Sequence, residues 1–240
     1  MILANSLVDG FLSSNLMGQG IVEVQLLGSI VMVAAIIGKF RELRFMSAAA
    51  RRFLRDFSEG KDVLDHYLTR RPAGTCGMER IYKETCERLL KILTPDVRSL
   101  LAGRDTDGNG AAALTAREIE LVRGTCEHVL DEEELRVEAG AGVVATVVAL
   151  APMLGLLGTV WGVLDAFADM GSAGSANLAT IAPSISAALV TTVVGLLIAI
   201  PGVVAFNRLN GLMRTLTSDM EGFTDELMGR IACEFQGRGA

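Results

Sequence analysis

An all-α, three-span integral membrane protein is the fold class this sequence predicts, and three observations predict it. The run from Ala139 to Leu164 carries no charged residue, and neither does the run from Met170 to Asn207. A helix needs about 20 apolar residues to cross a bilayer, so each run is long enough to span one. A third stretch, Leu26 to Gly38, is also free of charge. Half of the residues are hydrophobic while the charged residues fall in a few blocks, the partition expected of a membrane protein with a sizeable polar part.

Taken in order, residues 1–15 form a mildly apolar segment whose only charge is Asp9. Leu7, Phe11, Leu12 and Leu16 would let it lie along a membrane surface. The first span covers residues 16–38, with Glu23 and Gln25 near its start, at a depth that water or headgroups reach. Lys39, Arg41, Arg44, Arg51, Arg52 and Arg55 follow at once. The first Lys or Arg of the chain is Lys39, so a cleavable secretory signal with a basic leader is not expected. Every Lys and Arg lies either between Lys39 and Arg136 or from Arg208 onward. Positive residues are retained on the cytoplasmic side, so the N-terminus and the 165–177 connection are expected outside, and both basic blocks inside.

Residues 39–139 then form a cytoplasmic helical domain. Phe40, Leu43, Phe45, Met46, Phe53, Leu54 and Phe57 continue the first helix at helical spacing. Pro72, Gly74 and Gly77 interrupt it. Ile81, Leu89, Leu90, Ile92 and Leu93 mark a second helix that ends near Thr94-Pro95, because the residue before proline disfavours helix. Thr115 and Glu118 make the T-x-x-E pattern of a capping box. From there Ile119, Val122, Cys126, Val129 and Leu130 recur on one face. With only Gly124 and Gly140 as interruptions, one long helix is expected to run into the second span at 140–164. Asp165, Asp169, the small residues Gly171 to Ser175, and Asn177 read as a tight polar turn over 165–177. The third span, 178–206, passes Pro201 into a C-terminal cytoplasmic helix over 207–240, carried by Leu209, Leu212, Leu216, Met220, Phe223, Leu227 and Ile231. Long helices on one side of a bilayer suggest a bundle assembled between subunits.

Few residues offer solution chemistry. Cys76, Cys86, Cys126 and Cys233 lack metal-ligand spacing, so no metal site is expected. Asp105, Asp107, Asn109 and Gly110 open like a calcium loop, but the twelfth position is Ala116 where a bidentate glutamate is required. A turn rich in Asp, Asn and Gly is the ordinary way to join two helices. His66 and His128 are isolated and read as surface or packing residues. No nucleophile with a base, paired carboxylates or phosphate loop stands out, so an enzyme is not expected. No block is strongly basic overall, so nucleic acid is not an expected partner.

The two uncharged runs hold the informative residues. Gly155, Gly158 and Gly162 on the second span face helix association, as do Ser184, Ala188, Thr191, Thr192 and Gly195 on the third, because small residues let helices approach closely in lipid. The hydroxyls of Thr146, Thr159, Ser186, Thr191 and Thr192 can satisfy their own helix carbonyls. Thr159 and Thr192 can instead turn toward a hydrated lumen. Neither span holds a titratable group, so an intramembrane proton relay would need a carboxylate from another chain.

Ala151-Pro152 followed by Gly155-Leu-Leu-Gly-Thr159-Val-Trp-Gly162 resembles the second-span motif of the TolQ/ExbB proteins, relatives of the flagellar stator protein MotA. The later run resembles it too: Ala182-Pro183, Ile185, Ala188-Leu189, Thr192, Gly195-Leu196 and Ala199-Ile200-Pro201, ending at Asn207. Phe206-Asn-Arg-Leu-Asn210 is more similar to TolQ than to ExbB. The resemblance implies a bacterial inner-membrane protein with a periplasmic N-terminus and a cytoplasmic C-terminus. Five copies would ring a dimer of a TolR- or ExbD-like single-span protein that carries the membrane aspartate, with a TolA- or TonB-like protein as a further partner. Protons are the coupling ion and no cofactor is implied. Thr159 and Thr192 are then the ion-pathway lining, Gly155, Gly158, Gly162, Ala188 and Gly195 the helix packing, and Pro152, Pro183 and Pro201 structural. Where the family commonly has a glutamate in an A-E-A-L context, this chain has Ala187.

The expected function is that of a subunit of an inner-membrane complex driven by the proton-motive force, transmitting energy to the cell envelope. The rival is a structural membrane scaffold without ion flow, which Ala187 keeps in play. A small-molecule transporter would show internal repeats with broken helices, and the sequence has none.

Overall fold

The computed structural model describes residues 16–59, 62–64, 67–68, 74, 76–93, 114–173 and 178–235. The segment 1–15, His66, Pro72, Thr94-Pro95, the Asp105–Gly110 loop and the last part of the polar connection, residues 174–177, lie outside them. The described residues are nearly all helical: α1 is Leu16–Glu59, α2 Gly77–Ile92, α3 Ala116–Glu138, α4 Ala141–Ala173 and α5 Leu178–Phe235. Among the described residues three stretches are long and apolar enough to cross a membrane, in Leu16–Ser58, Ala116–Gly171 and Ile181–Phe235. The helices sort into two compact units: residues 1–40 with 140–211, and residues 41–139 with 212–240.

In the second unit the predicted start of α3 is realised. Thr115 is the N-cap, its hydroxyl accepts from the Glu118 N–H at 3.3 Å, and the Glu118 carboxylate accepts from the Thr115 N–H at 2.8 Å. These bonds satisfy two donors that a helix start leaves free, and they hold the exposed Glu118 carboxyl below its usual range. Ile119, Val122, Cys126 and Val129 are buried on one face, as expected. The expected fusion of α3 with the second span does not occur. Ala139 closes α3, and Gly140 takes φ +83°, a left-handed conformation that glycine reaches without strain. Gly77 opens α2, packed so that a Cβ would meet Met220 Sδ at 3.0 Å and Glu133 Oε2 at 3.1 Å.

The core of this unit is aromatic. Phe53 and Phe57 from α1, Tyr82 from α2 and Phe223 from α5 pack with ring centroids 5.2–6.1 Å apart, mostly in the edge-to-face or tilted arrangements that the ring quadrupole favours. Tyr82 is fully buried, and its hydroxyl donates to the Val63 carbonyl at 2.5 Å. At the rim of the core Glu133 is a carboxylate only 1% exposed. It accepts from Arg80 at 2.7 Å and from Arg136 at 2.8 Å, and Arg80 also reaches Glu132 and Glu84. Two guanidinium partners make the buried charge tolerable. His128 is exposed with its ring 3.4 Å from Glu132, one turn along α3.

The first unit has another chemistry. Small or sparse groups are buried (Ala151, Ala166, Ala187, Ala188, Thr191, Ala199), while large apolar residues face outward: Leu26, Leu27 and Ile30 on α1, Leu156, Val160 and Leu164 on α4, Leu189, Leu197 and Ile200 on α5. This inversion of the usual pattern suits helices solvated by lipid or by apolar neighbours. Pro152 lies inside α4, and Pro183 and Pro201 inside α5. The polar turn expected from Asp165 does not begin there: α4 remains helical to Ala173 and carries Asp165 and Asp169 as helical residues. Along α5 the inward positions recur every seven residues, at Ala188, Gly195, Gly202, Leu209, Leu216 and Phe223, all buried. A sustained seven-residue period is the pattern of left-handed helix supercoiling.

Two outcomes are expected. Arg80→Met should cost about 3 kcal/mol by stripping the buried Glu133 of a partner, and Arg80→Met with Glu133→Met should recover most of it, read by urea unfolding of the full chain in detergent. Burial raises the thiol pKa of Cys76, Cys86 (to about 12) and Cys126, whereas Cys233 is exposed. Because the thiolate is the reactive form, maleimide labelling of the folded protein should modify Cys233 and reach the other three only after unfolding.

Candidate functional site in the membrane unit

The residues singled out on the second and third spans come together in one seam between α4 and α5. Glycine is what closes it. A Cβ on Gly155 would lie 2.8 Å from Thr192 Cα, and one on Gly162 would lie 2.5 Å from Ala188 Cβ. One on Gly158 would fall on the Thr191 hydroxyl, and one on Gly195 would lie 2.5 Å from the Ala151 carbonyl oxygen. Each glycine therefore sits where the opposing backbone or a short side chain fills the space of a methyl group. Gly202 does the same against Val148 and Met32.

This closeness gathers hydroxyls on one carbonyl. The Gly155 carbonyl accepts from Thr192 at 2.8 Å and from Thr191 at 3.1 Å, across the seam, and from Thr159 at 3.4 Å within α4. Thr159 donates over a shorter distance to Leu156, at 2.8 Å, and Thr191 to Ala188, at 2.7 Å. The Thr159 and Thr192 hydroxyl oxygens are 3.4 Å apart. Thr191 is buried at 1% exposed, while Thr159 and Thr192 remain half-buried and reachable from outside the chain. Thr146 donates to Gly142 on its own helix and stays outside the cluster. Of the prolines, Pro152 is half-buried beside the seam residue Ala151, while Pro183 and Pro201 are exposed. Ala187, buried, lies one turn before Thr191.

Gln25, expected at headgroup level near the start of the first span, is buried at 2% exposed. Its Nε2 donates to the Ala151 carbonyl of α4 at 3.0 Å and to the Thr191 carbonyl of α5 at 3.3 Å. Gly155 and Gly195 leave the gap that holds this amide, since a Cβ on either would approach Nε2, to 3.4 and 2.9 Å. The signal that finds it is periodic. Ile21, Gln25 and Met32 share the buried stripe of α1, with Gly28 between them against Val147. Glu23, by contrast, is exposed.

Chemically the seam can donate, accept and exchange hydrogen bonds, but it cannot hold a charge of its own. Among the described residues no group of His, Cys, Asp or Glu side chains is placed to bind a metal ion. Substitutions separate the tight positions from the open ones. Gly195→Ala should lower stability in detergent by about 1–3 kcal/mol through overpacking. Gly222→Ala, on the same helix with open space around it, should raise it by about 0.5–1 kcal/mol; thermal unfolding of both variants checks the contrast.

Comparison with known proteins covers this seam. Residues 96–222 match the family model described as the MotA/TolQ/ExbB proton channel family. The Tol-Pal system protein TolQ of Haemophilus influenzae is 32% identical over 226 residues, 91% of this chain and 90% of its own. The TolQ of Pseudomonas aeruginosa is 40% identical over 97 residues, 40% of this chain and 42% of its own. The biopolymer transport protein ExbB of Neisseria gonorrhoeae is 40% identical over 96 residues, 40% of this chain and 44% of its own.

Proposed function

Because this chain belongs to the MotA/TolQ/ExbB proton channel family, we propose that it is the wall-forming subunit of an inner-membrane complex driven by the proton-motive force. In this reading five copies ring a dimer of a TolR- or ExbD-like single-span protein, and the work reaches a TolA- or TonB-like protein of the envelope. The placement of Lys and Arg supports a periplasmic N-terminus and a cytoplasmic C-terminus.

The observation that carries the reading is the pair Thr159 and Thr192, half-buried with oxygens 3.4 Å apart in a charge-free seam. A threonine hydroxyl donates and accepts at once and stays neutral at working pH. The pair therefore lines a proton path without trapping the proton. The titrating carboxylate belongs to the partner, since a charged side chain inside a span is costly and is kept only where it functions.

A structural scaffold is the second reading, favoured by one observation: the hydroxyls of Thr159, Thr191 and Thr192 all donate to backbone carbonyls, so helix packing alone accounts for them. One experiment separates the two. Thr192→Val keeps the shape and removes the hydroxyl. Co-expressed with the single-span neighbour and reconstituted in vesicles, it should keep the native mass of the complex and lose proton uptake by at least about tenfold, the equivalent of ~1.4 kcal/mol on the barrier. Unchanged uptake removes Thr192 from the path, and envelope function that persists after collapse of the proton gradient favours the scaffold.

A further inference from the structure

Beyond the span, the outward side of α1 is a row of arginines. Arg41, Arg44, Arg51, Arg52 and Arg55 are all exposed, and helical spacing places them in one sector of about 100°. Leu43, Ala50, Phe53 and Phe57 point the other way, into the core. Among the described residues none forms an ion pair with Arg51, Arg52 or Arg55. The opposite charge lines α3. Glu127, Asp131, Glu134 and Glu138 share a sector of about 60°, and Glu221 of α5 stands beside them. Burial and the carboxylates of Glu221, Asp131 and Glu138 hold the Glu134 carboxyl above its usual range. Arg136, on the same helix, is turned to Glu133 instead.

The two faces lie at one depth. Phe53 and Phe57 pack against Phe223 of α5, and a Cβ on Gly77 would touch both Met220 of α5 and Glu133 of α3. Arg51, Arg52 and Arg55 are therefore level, within about two turns, with Asp131, Glu134 and Glu221. Chain direction extends the match. α1 leaves the membrane unit at Arg41 and α3 returns to it at Gly140, so Arg41 and Arg44 correspond to Glu138, and Arg55 to Glu127. Copies inserted the same way in one bilayer are related by rotation about its normal, without a shift in depth. What one copy presents at a given depth meets what the next presents there. Anionic lipid headgroups also attract arginine, but a rise of 1.5 Å per residue puts Arg51 about 20 Å past Gly38. Charges act over only ~8 Å at physiological salt.

We propose that the arginine face of α1 docks on the carboxylate face of α3 and α5 of a second copy of this chain. Each copy offers one face to each neighbour, and such head-to-tail contacts generate rings where the rotation closes. The contact rests on the ring proposed above and is independent of the threonine pathway.

Cysteines placed one on each face test it. In the full chain in membranes, Cys233→Ser removes the exposed native thiol. Arg52→Cys with Asp131→Cys, treated with a short bismaleimide, should then give a ladder of cross-linked species. Either cysteine alone should give none, because a head-to-tail contact brings no residue against its own counterpart. A double variant without a ladder, or a single variant that dimerises, overturns the proposal. Charge reversal gives a second measurement. Arg51→Glu/Arg52→Glu/Arg55→Glu should weaken association of the detergent-purified chain at least about tenfold with helix content unchanged. Asp131→Lys/Glu134→Lys/Glu221→Lys should do the same, and all six changes in one chain should restore association. No recovery in the combined chain overturns the proposal. So does unchanged association of the arginine variant with loss of co-purifying anionic lipid, which would make the face a lipid site. A ladder in a complex that takes up no protons removes the pathway reading and leaves the contact standing. A proton-conducting complex of the proposed stoichiometry without a ladder removes the contact and leaves that reading standing.

Discussion

Everything in the membrane unit depends on how closely α4 approaches α5. The hydrophobic effect does not press helices together in lipid, since a neighbouring helix is no more apolar than the acyl chains it displaces. Contact must come from shape, and shape here means glycine: Gly155, Gly158, Gly162 and Gly195 each leave a space that the opposite helix fills. Only at that separation do the hydroxyls of Thr191 and Thr192 reach across to the Gly155 carbonyl. The same separation admits the Gln25 amide between the two helices. Move the helices apart by a methyl group and the polar cluster dissolves into three unconnected side chains.

The other unit meets the opposite requirement. It gathers large side chains, the four rings of Phe53, Phe57, Tyr82 and Phe223, and a carboxylate neutralised by two guanidinium groups. Water is available around such a unit, so apolar burial stabilises it in the ordinary way. One helix, α5, serves both regimes, with Ala188, Gly195 and Gly202 inward in the first unit and Leu216 and Phe223 inward in the second.

Much of this was legible in the residues. The three spans follow from uncharged runs, and the α3 start follows from Thr115 and Glu118, because a capping box is local chemistry that two residues complete. The site residues Gly155, Gly158, Gly162, Thr159 and Thr192 were legible as a set of small and hydroxylated positions on two helices. Their convergence on the single carbonyl of Gly155 was not, since it depends on the axial offset between the helices. Gln25 is less legible: a polar residue near a span end reads as solvated unless its register with Ile21 and Met32 is counted. The break at Gly140 is not legible either, since a lone glycine does not announce which sign of φ it takes.

The seven-residue stripe of α5 sets a rule for how such a chain can change in length. From Ala188 to Phe223 each inward position is two turns from the next. One residue added between Leu216 and Phe223 would rotate all that follows by about 100°, turning Phe223, Leu227 and Ile231 out of their core while Leu216 stayed in place. A deletion does the same in the other direction. Insertions and losses in this part of α5 are therefore tolerable only near whole multiples of seven. Descendants of this sequence can vary in what α5 exposes far more readily than in how many residues it counts between buried positions.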